Sequence, residues 1–203
     1  MTFYFPNKPI HVYDPVKLMT TMGPVQEDWI VQPKWNGKRV EIACNAEGQI
    51  TLFGRQGQFF KDRWPWLGEL PLPRPWFLDG ELLRDNRIFV WDAAVLDGKP
   101  VYKSAYAPRL DLLQEKIPKP LTNGSQTLEC IQTMPARFYG ALLRREGDPL
   151  LEGIVWKNLN ATNLWGPYST NQVSSMFKFR FAEWDKNARK HSTLSVLQGG
   201  KEG

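Results

Sequence analysis

One stretch offers chemistry before any other: Gln32-Pro33-Lys34-Trp35-Asn36-Gly37-Lys38-Arg39-Val40 sets a lysine between extended residues and a tight Asn-Gly pair. An amine so placed can act as a covalent nucleophile. Gly37 would let the backbone approach a ligand with no side chain in the way, and the planar fork of Arg39 could turn to the same ligand. The competing account is a β-hairpin in which Asn36-Gly37 makes a type I′ turn beside two exposed basic residues. Gly54-Arg55-Gln56-Gly57 reads either as an ordinary glycine-rich turn or as two flexible positions that bring Arg55 back over the ligand. Trp76 to Leu83 carries Asp79-Gly80-Glu81 among apolar residues, and a carboxylate buried there is costly unless it is bonded. That triplet is therefore a candidate site, the alternative being a turn at Asp79-Gly80 with Glu81 on a wet face. Leu151 to Lys157 repeats the theme with Glu152, Gly153 and Lys157, and Ser175 to Phe181 alternates bulky apolar residues with Lys178 and Arg180, which puts both cations on one side. These groups describe acids and bases converging from several strands on one pocket.

The elements that must position them follow from pattern. Asp14-Pro15 predicts a helix start, with a capping carboxylate and proline in the first turn, and Gly23-Pro24 predicts its end. Trp29 to Gln32 leads as an extended run into Lys34. Arg39 to Ala43 alternates as a half-buried strand, turns at Asn45 to Gly48, and returns as Gln49 to Phe53 in an antiparallel meander. Trp64 to Leu70 suggests a short helix, and Ile88 to Asp92 a strand after a turn at Arg84 to Arg87. Tyr106 to Lys116 has helical spacing with Leu110, Leu113 and Ile117 on one stripe. Asn123-Gly124 predicts a turn, Leu128 to Thr133 a strand and Arg137 to Arg145 a helix. A chain of 203 residues is long enough to bury its own core, and its net charge of +5 suits a polyanionic partner. Most of the nine tryptophans are expected in the core. Cys44 and Cys130 stand far apart with no ligand-spaced neighbours, which predicts neither a disulfide framework nor zinc and fits a reducing compartment. With no signal-like start, and with the most apolar stretch, Ile88 to Leu96, short and interrupted by Asp92, the expectation is a soluble cytoplasmic protein that does not enter a membrane.

In order and separation, Lys34 to Arg39, Arg55 to Gly57, Leu78 to Leu82 with Val90-Trp91-Asp92, Glu152 to Lys157, and Phe177 to Arg180 resemble the motifs of the covalent nucleotidyltransferases, and of ATP-dependent polynucleotide ligases in particular. The resemblance spans Gln32 to Arg180. It implies an α+β nucleotidyltransferase fold, the ATP-grasp-like ligase adenylation domain: two packed, mainly antiparallel sheets with peripheral helices over residues 1–182, and the nucleotide in the groove between the sheets. Residues 183–203 would form a short basic extension, partly disordered. The implied chemistry is attack of Lys34 on the α-phosphorus of ATP to give a lysyl-AMP, transfer of AMP to a 5′-phosphate, and its displacement by a 3′-hydroxyl. A free lysine with pKa near 10.4 is only about one part in a thousand neutral at neutral pH, and Arg39, Lys157, Lys178 and a divalent metal would each favour the neutral amine. By the same resemblance Lys178 and Arg180 contact the α-phosphate and Lys157 adds positive charge there. Glu81 and Arg39 bind ribose, Trp91 stacks on adenine, Gln32 reads the adenine edge, and Arg55 reaches ribose or the 5′-phosphate of a nick. Glu152, with Glu81, would hold Mg2+ or Mn2+, which such oxygen donors suit better than zinc.

The chain departs from the pattern at Asn36, where the family more often has Asp, and at Arg180, where a second lysine is usual. The 23 residues after Arg180 cannot hold the OB-fold that many relatives carry, so the expectation is a minimal enzyme or a fragment. The expected partner is a nicked duplex, DNA before RNA or a mixed duplex, bound by a monomer. A capping guanylyltransferase and a non-catalytic nucleotide- or nick-binding protein share enough of the pattern to stand as alternatives.

Overall fold

The computed structural model describes residues 5–60, 64–166, 171–182 and 184. The expected basic extension, 183–203, lies outside them except for Trp184. In chain order the strands are β1 (Phe5–Pro6), β2 (Lys8–His11), β3 (Trp29–Trp35), β4 (Lys38–Cys44), β5 (Ile50–Gly54), β6 (Trp76–Leu82), β7 (Arg87–Leu96), β8 (Lys99–Pro100), β9 (Leu121–Asn123), β10 (Gln126–Cys130), β11 (Met134–Pro135), β12 (Leu151–Asn158), β13 (Trp165–Gly166) and β14 (Gln172–Arg180). The helices are α1 (Pro15–Met22), α2 (Tyr106–Lys116) and α3 (Tyr139–Leu143).

One sheet runs β5-β4-β6-β7-β10-β9, with β8 on β7; the other runs β11-β3-β12-β14-β2, and β1 pairs with β13. Pairing is antiparallel except for β10 on β7 and β2 on β14. Apolar residues of both sheets meet between them, Ile30 and Met176 from one with Ala43, Phe77 and Val95 from the other, and α2 adds Tyr106 and Leu110. The outer face of the larger sheet is covered by Trp64, Leu67, Leu70 and Leu72 and by Leu113 and Ile117. The outer face of the smaller one is covered by Met19, Met22, Ala136 and Leu142.

Asp14 caps α1 as predicted, accepting from Lys17 N at 2.9 Å, and α2 has the predicted limits. Four expectations change. Asn36-Gly37 is not a hairpin turn: β3 and β4 belong to different sheets, and the pair carries the chain across from one to the other. Gly37 is required there by packing, since a Cβ would lie 2.5 Å from Leu82 O. Strand β4 is buried on both faces, because the side that alternation had assigned to water, shared by Glu41 and Ala43, faces the smaller sheet, while Trp64 to Leu72 covers the apolar side of Val40 and Ile42. The strand expected at Leu128 to Thr133 begins and ends earlier, its register set by β9 across the Asn123-Gly124 turn. The helix expected at Arg137 to Arg145 is a 3-10 turn, Ala136–Phe138, followed by the short α3. Among the described residues no helix is long and apolar enough to cross a membrane.

Candidate active site

All ten residues singled out above border one cavity of about 740 Å3 between the sheets: Gln32, Lys34, Glu152, Lys157, Lys178 and Arg180 from the smaller, Arg39, Glu81 and Trp91 from the larger, and Arg55 from the loop after β5. Ordinary alternation delivers most of them. Gln32 and Lys34 share a face of β3, and Lys178 and Arg180 share a face of β14. Two do not obey alternation. On β12 the pairing jumps from Leu151–Trp35 to Gly153–Lys34, so Glu152 is an extra residue. On β7 it jumps from Asp79–Asp92 to Gly80–Val90, so Trp91 is an extra residue. Each bulge turns a side chain into the cavity that a regular strand would aim elsewhere.

At the end nearest the crossing, Lys34 Nζ donates to Glu152 Oε2, and Arg180 Nε lies 3.4 Å from that same oxygen. Gly153 separates Lys34 from Arg180 across three strands, and a Cβ on it would lie 2.0 Å from Phe179 O. Burial depresses the pKa of the Lys178 ammonium, and Arg180, Lys34 and Arg55 depress it further. Opposite, Glu81 Oε1 accepts from Gly37 N at 3.2 Å. Burial lifts the Glu81 carboxyl to about 7 against the pull of Lys34 and Arg39.

Asp79 organises the larger sheet's side. It is 2% exposed and accepts from Arg39 Nε at 2.8 Å, from Arg39 Nη2, and from Trp91 Nε1 at 2.6 Å. The Trp91 ring therefore stands fixed, with the Arg39 guanidinium 5.5 Å and Lys157 Nζ 5.3 Å from its centroid. Lys157 is buried, which lowers its pKa to about 7 even though Asp92 and Asp79 favour its charge. Tyr106 sits at the deep end. Its hydroxyl donates to Trp91 O at 2.6 Å and accepts from Gln32 Nε2 at 3.0 Å and Lys157 Nζ at 3.3 Å. Arg55 is exposed at the rim.

Sequence reasoning flagged Asp-Gly-Glu but gave Asp79 no role; an acid inside an apolar strand was its signal. It missed Tyr106, whose spacing said only that a helix begins. It also missed the Asp92–Arg109 pair, in which Asp92 accepts from Arg109 Nε at 2.7 Å and Trp165 Nε1 at 2.8 Å, locking α2 and β13 to the cavity's base.

Glu41 lies beside this site, facing Asp79 on the neighbouring strand. Both its carboxyl oxygens are buried with no hydrogen-bond partner among the described residues. Burial and the Asp79 charge push it up to about 9, against the pull of Arg39. Because the folded pKa exceeds the ordinary 4.5, the stability from holding this proton is complete below 4.5 and is lost as pH rises toward 9. Glu41→Gln removes that slope. Its stability relative to the parent should improve by on the order of 2 kcal/mol between pH 5 and pH 8.5, read from urea midpoints; parallel curves would show that Glu41 is ionised in the fold.

The donors available to a metal are Glu152 and Glu81. No group of three or more His, Cys, Asp or Glu able to hold one occurs among the described residues. That set fits Mg2+, which commonly binds one or two carboxylates and completes its shell with phosphate and water.

No family model matches the chain, and no curated protein does. Solved structures do. The ligase domain of LigD from M. tuberculosis superposes with a TM-score of 0.60 at 18% identity, over 87% of this chain and 59% of that one. A Lig E DNA ligase gives 0.54 at 13% identity, over 86% and 69%. An archaeal ATP-dependent RNA ligase gives 0.53 at 16%, over 89% and 49%. The chain thus spans about 59% of the length of the LigD domain. The fold is the α+β nucleotidyltransferase fold of ATP-dependent ligase adenylation domains.

Proposed function

We propose that the chain is an ATP-dependent polynucleotide ligase that seals a 3′-hydroxyl to a 5′-phosphate in nicked duplex, DNA by preference, through AMP carried on Lys34. The observation that carries this reading is the meeting of Lys34, Glu152, Lys178 and Arg180 from three adjacent strands with Arg39 and Glu81 from the opposing sheet in one cavity.

In the first step Lys34 Nζ forms a bond to the α-phosphorus while the bond to pyrophosphate breaks. The amine loses a proton, and Glu152, against which it already rests, is in place to take it. Lys178 and Arg180 stand on the same face and neutralise charge building on the α-phosphate oxygens. Trp91, held by Asp79, offers its ring to the base, and Glu81 and Arg39 face the ribose. Glu152 and Glu81 would hold Mg2+, which when bound supplies charge neutralisation at the phosphates. The AMP then passes to a 5′-phosphate, with Arg55 at the rim to meet it, and the 3′-hydroxyl displaces AMP to close the strand.

Incubation with ATP and Mg2+ followed by intact-mass measurement tests the first step: one added AMP, mapped to Lys34, is expected, and its absence from folded protein ends this reading. Nicked duplexes with DNA or RNA on each side of the break test the last step. Likeness to an archaeal RNA ligase supports a second reading, in which an RNA strand at the nick is preferred. The net charge of +5 and the basic rim lead to a further expectation: duplex affinity drops at least tenfold between 50 and 200 mM salt, because phosphate contacts release counterions. A flat response would rule out a basic docking face.

A further inference from the structure

The amide of Gln32 is one of the few buried polar groups at the deep end of the cavity, and its orientation is dictated by two hydroxyls. Gln32 Nε2 donates to Tyr106 Oη at 3.0 Å and to Thr133 Oγ1 at 3.2 Å. Each hydroxyl has already committed its only proton to a backbone carbonyl: Tyr106 to Trp91 O at 2.6 Å, Thr133 to Ile131 O at 3.2 Å. Lys157 Nζ takes the second lone pair of Tyr106 at 3.3 Å. Turning the amide over would set its oxygen against two oxygens with no proton to give, so the amide nitrogen must face the hydroxyls and the oxygen must face away. No described residue donates to that oxygen in any of these contacts, and Gln32 borders the cavity.

We infer that Tyr106 and Thr133 are positioning residues for base selection: by fixing the proton direction around Gln32 they make the cavity present an acceptor, which selects a purine with an amino group at position 6 over one with an oxo group. This inference rests on the proposed binding of ATP in the cavity. An adenine amino group donates to the Gln32 oxygen, whereas a 6-oxo group meets it acceptor to acceptor and leaves both unpaired. With the hydroxyls removed, the amide is free to present either end, and the preference should fall while the cavity's shape is kept.

The test compares binding of ATP with inosine triphosphate, which has a 6-oxo group in place of the 6-amino group and a proton on N1, in the parent, in Thr133→Val, and in Tyr106→Phe combined with Thr133→Val, together with the rates of nucleotide transfer to Lys34 from each. The parent should prefer ATP by about tenfold to a hundredfold. The double variant should bind both within about threefold of each other, and Thr133→Val alone should fall between. Loss of the Lys157 contact at Tyr106 can slow transfer from both nucleotides, but it does not move their ratio. A parent that binds the two equally overturns the inference. So does a folded double variant that keeps the parent's ratio; if circular dichroism shows that variant unfolded, an unchanged ratio in Thr133→Val overturns it instead. A parent that takes up no ATP at all, by binding or by transfer, rejects the proposed function itself, which separates the two failures.

Discussion

Lys34→Ala should leave the protein folded and abolish AMP transfer, with the rate of adduct formation reduced at least about ten-thousandfold. The amine has no understudy. Lys38, Lys157 and Lys178 border the same cavity, but Lys38 is exposed on the opposing sheet, Lys157 lies buried at the deep end against Tyr106, and Lys178 is two strands away from Lys34, with β12 between. The Lys34 side chain is 21% exposed and its main partner, Glu152, retains Arg180, so removing it strands no buried charge. Urea midpoints should accordingly stay within about 1 kcal/mol of the parent. Lys34→Arg gives the sharper control. It keeps the positive charge beside Glu152 but replaces a nucleophilic nitrogen with a guanidinium, so ATP binding should survive where transfer does not. An adduct of undiminished yield on the alanine variant would mean that another side chain carries the nucleotide.

Asp79→Ala should be the most damaging single change to the site's framework, costing about 3 kcal/mol of stability and most of the transfer rate. Three donors converge on that carboxylate, and its removal leaves the Arg39 guanidinium in a largely enclosed position with Glu41 and Glu81 as the nearest acids. The Trp91 indole loses its anchor in the same stroke. Asp79→Asn keeps one acceptor and should lie between, because an amide cannot serve both the Arg39 fork and Trp91. Equilibrium denaturation of the three proteins reads the stability, and adduct rates read the site; an alanine variant within about 0.5 kcal/mol of the parent would remove Asp79 from this role.

Which parts of this arrangement were legible in the sequence follows from how local their causes are. Lys34, Glu152, Lys178 and Arg180 stood out because charged residues inside apolar runs have few structural uses, and the helix from Tyr106 was legible because its apolar stripe is a property of eleven consecutive residues. The bulges at Glu152 and Trp91 were not, since each is defined by pairing with a strand elsewhere in the chain. Glu41 was read as a wet position because nothing within β4 announces that the smaller sheet will pack over the face it shares with Ala43. Asn36-Gly37 carries a strong hairpin signal, but pairing decided otherwise: β3 joins β12, and β4 joins β5 and β6. The short β2 was missed because Lys8-Pro9-Ile10-His11 has no alternation to see, and its parallel seat on β14 exists only once β14 is formed.

The crossing at Asn36-Gly37 makes the molecule resemble a pair of tongs. Lys34 is the last residue but one of β3 and Arg39 the second of β4, with only four residues between them at the fulcrum. The fulcrum is gripped from both sides: Asn36 N donates to Leu150 O at 2.8 Å, and Trp35 stacks on Phe89 of the opposing arm with centroids 4.8 Å apart. The gap between amine and guanidinium is thus set by the packing of the two sheets on their shared apolar core, which holds the arms at one angle.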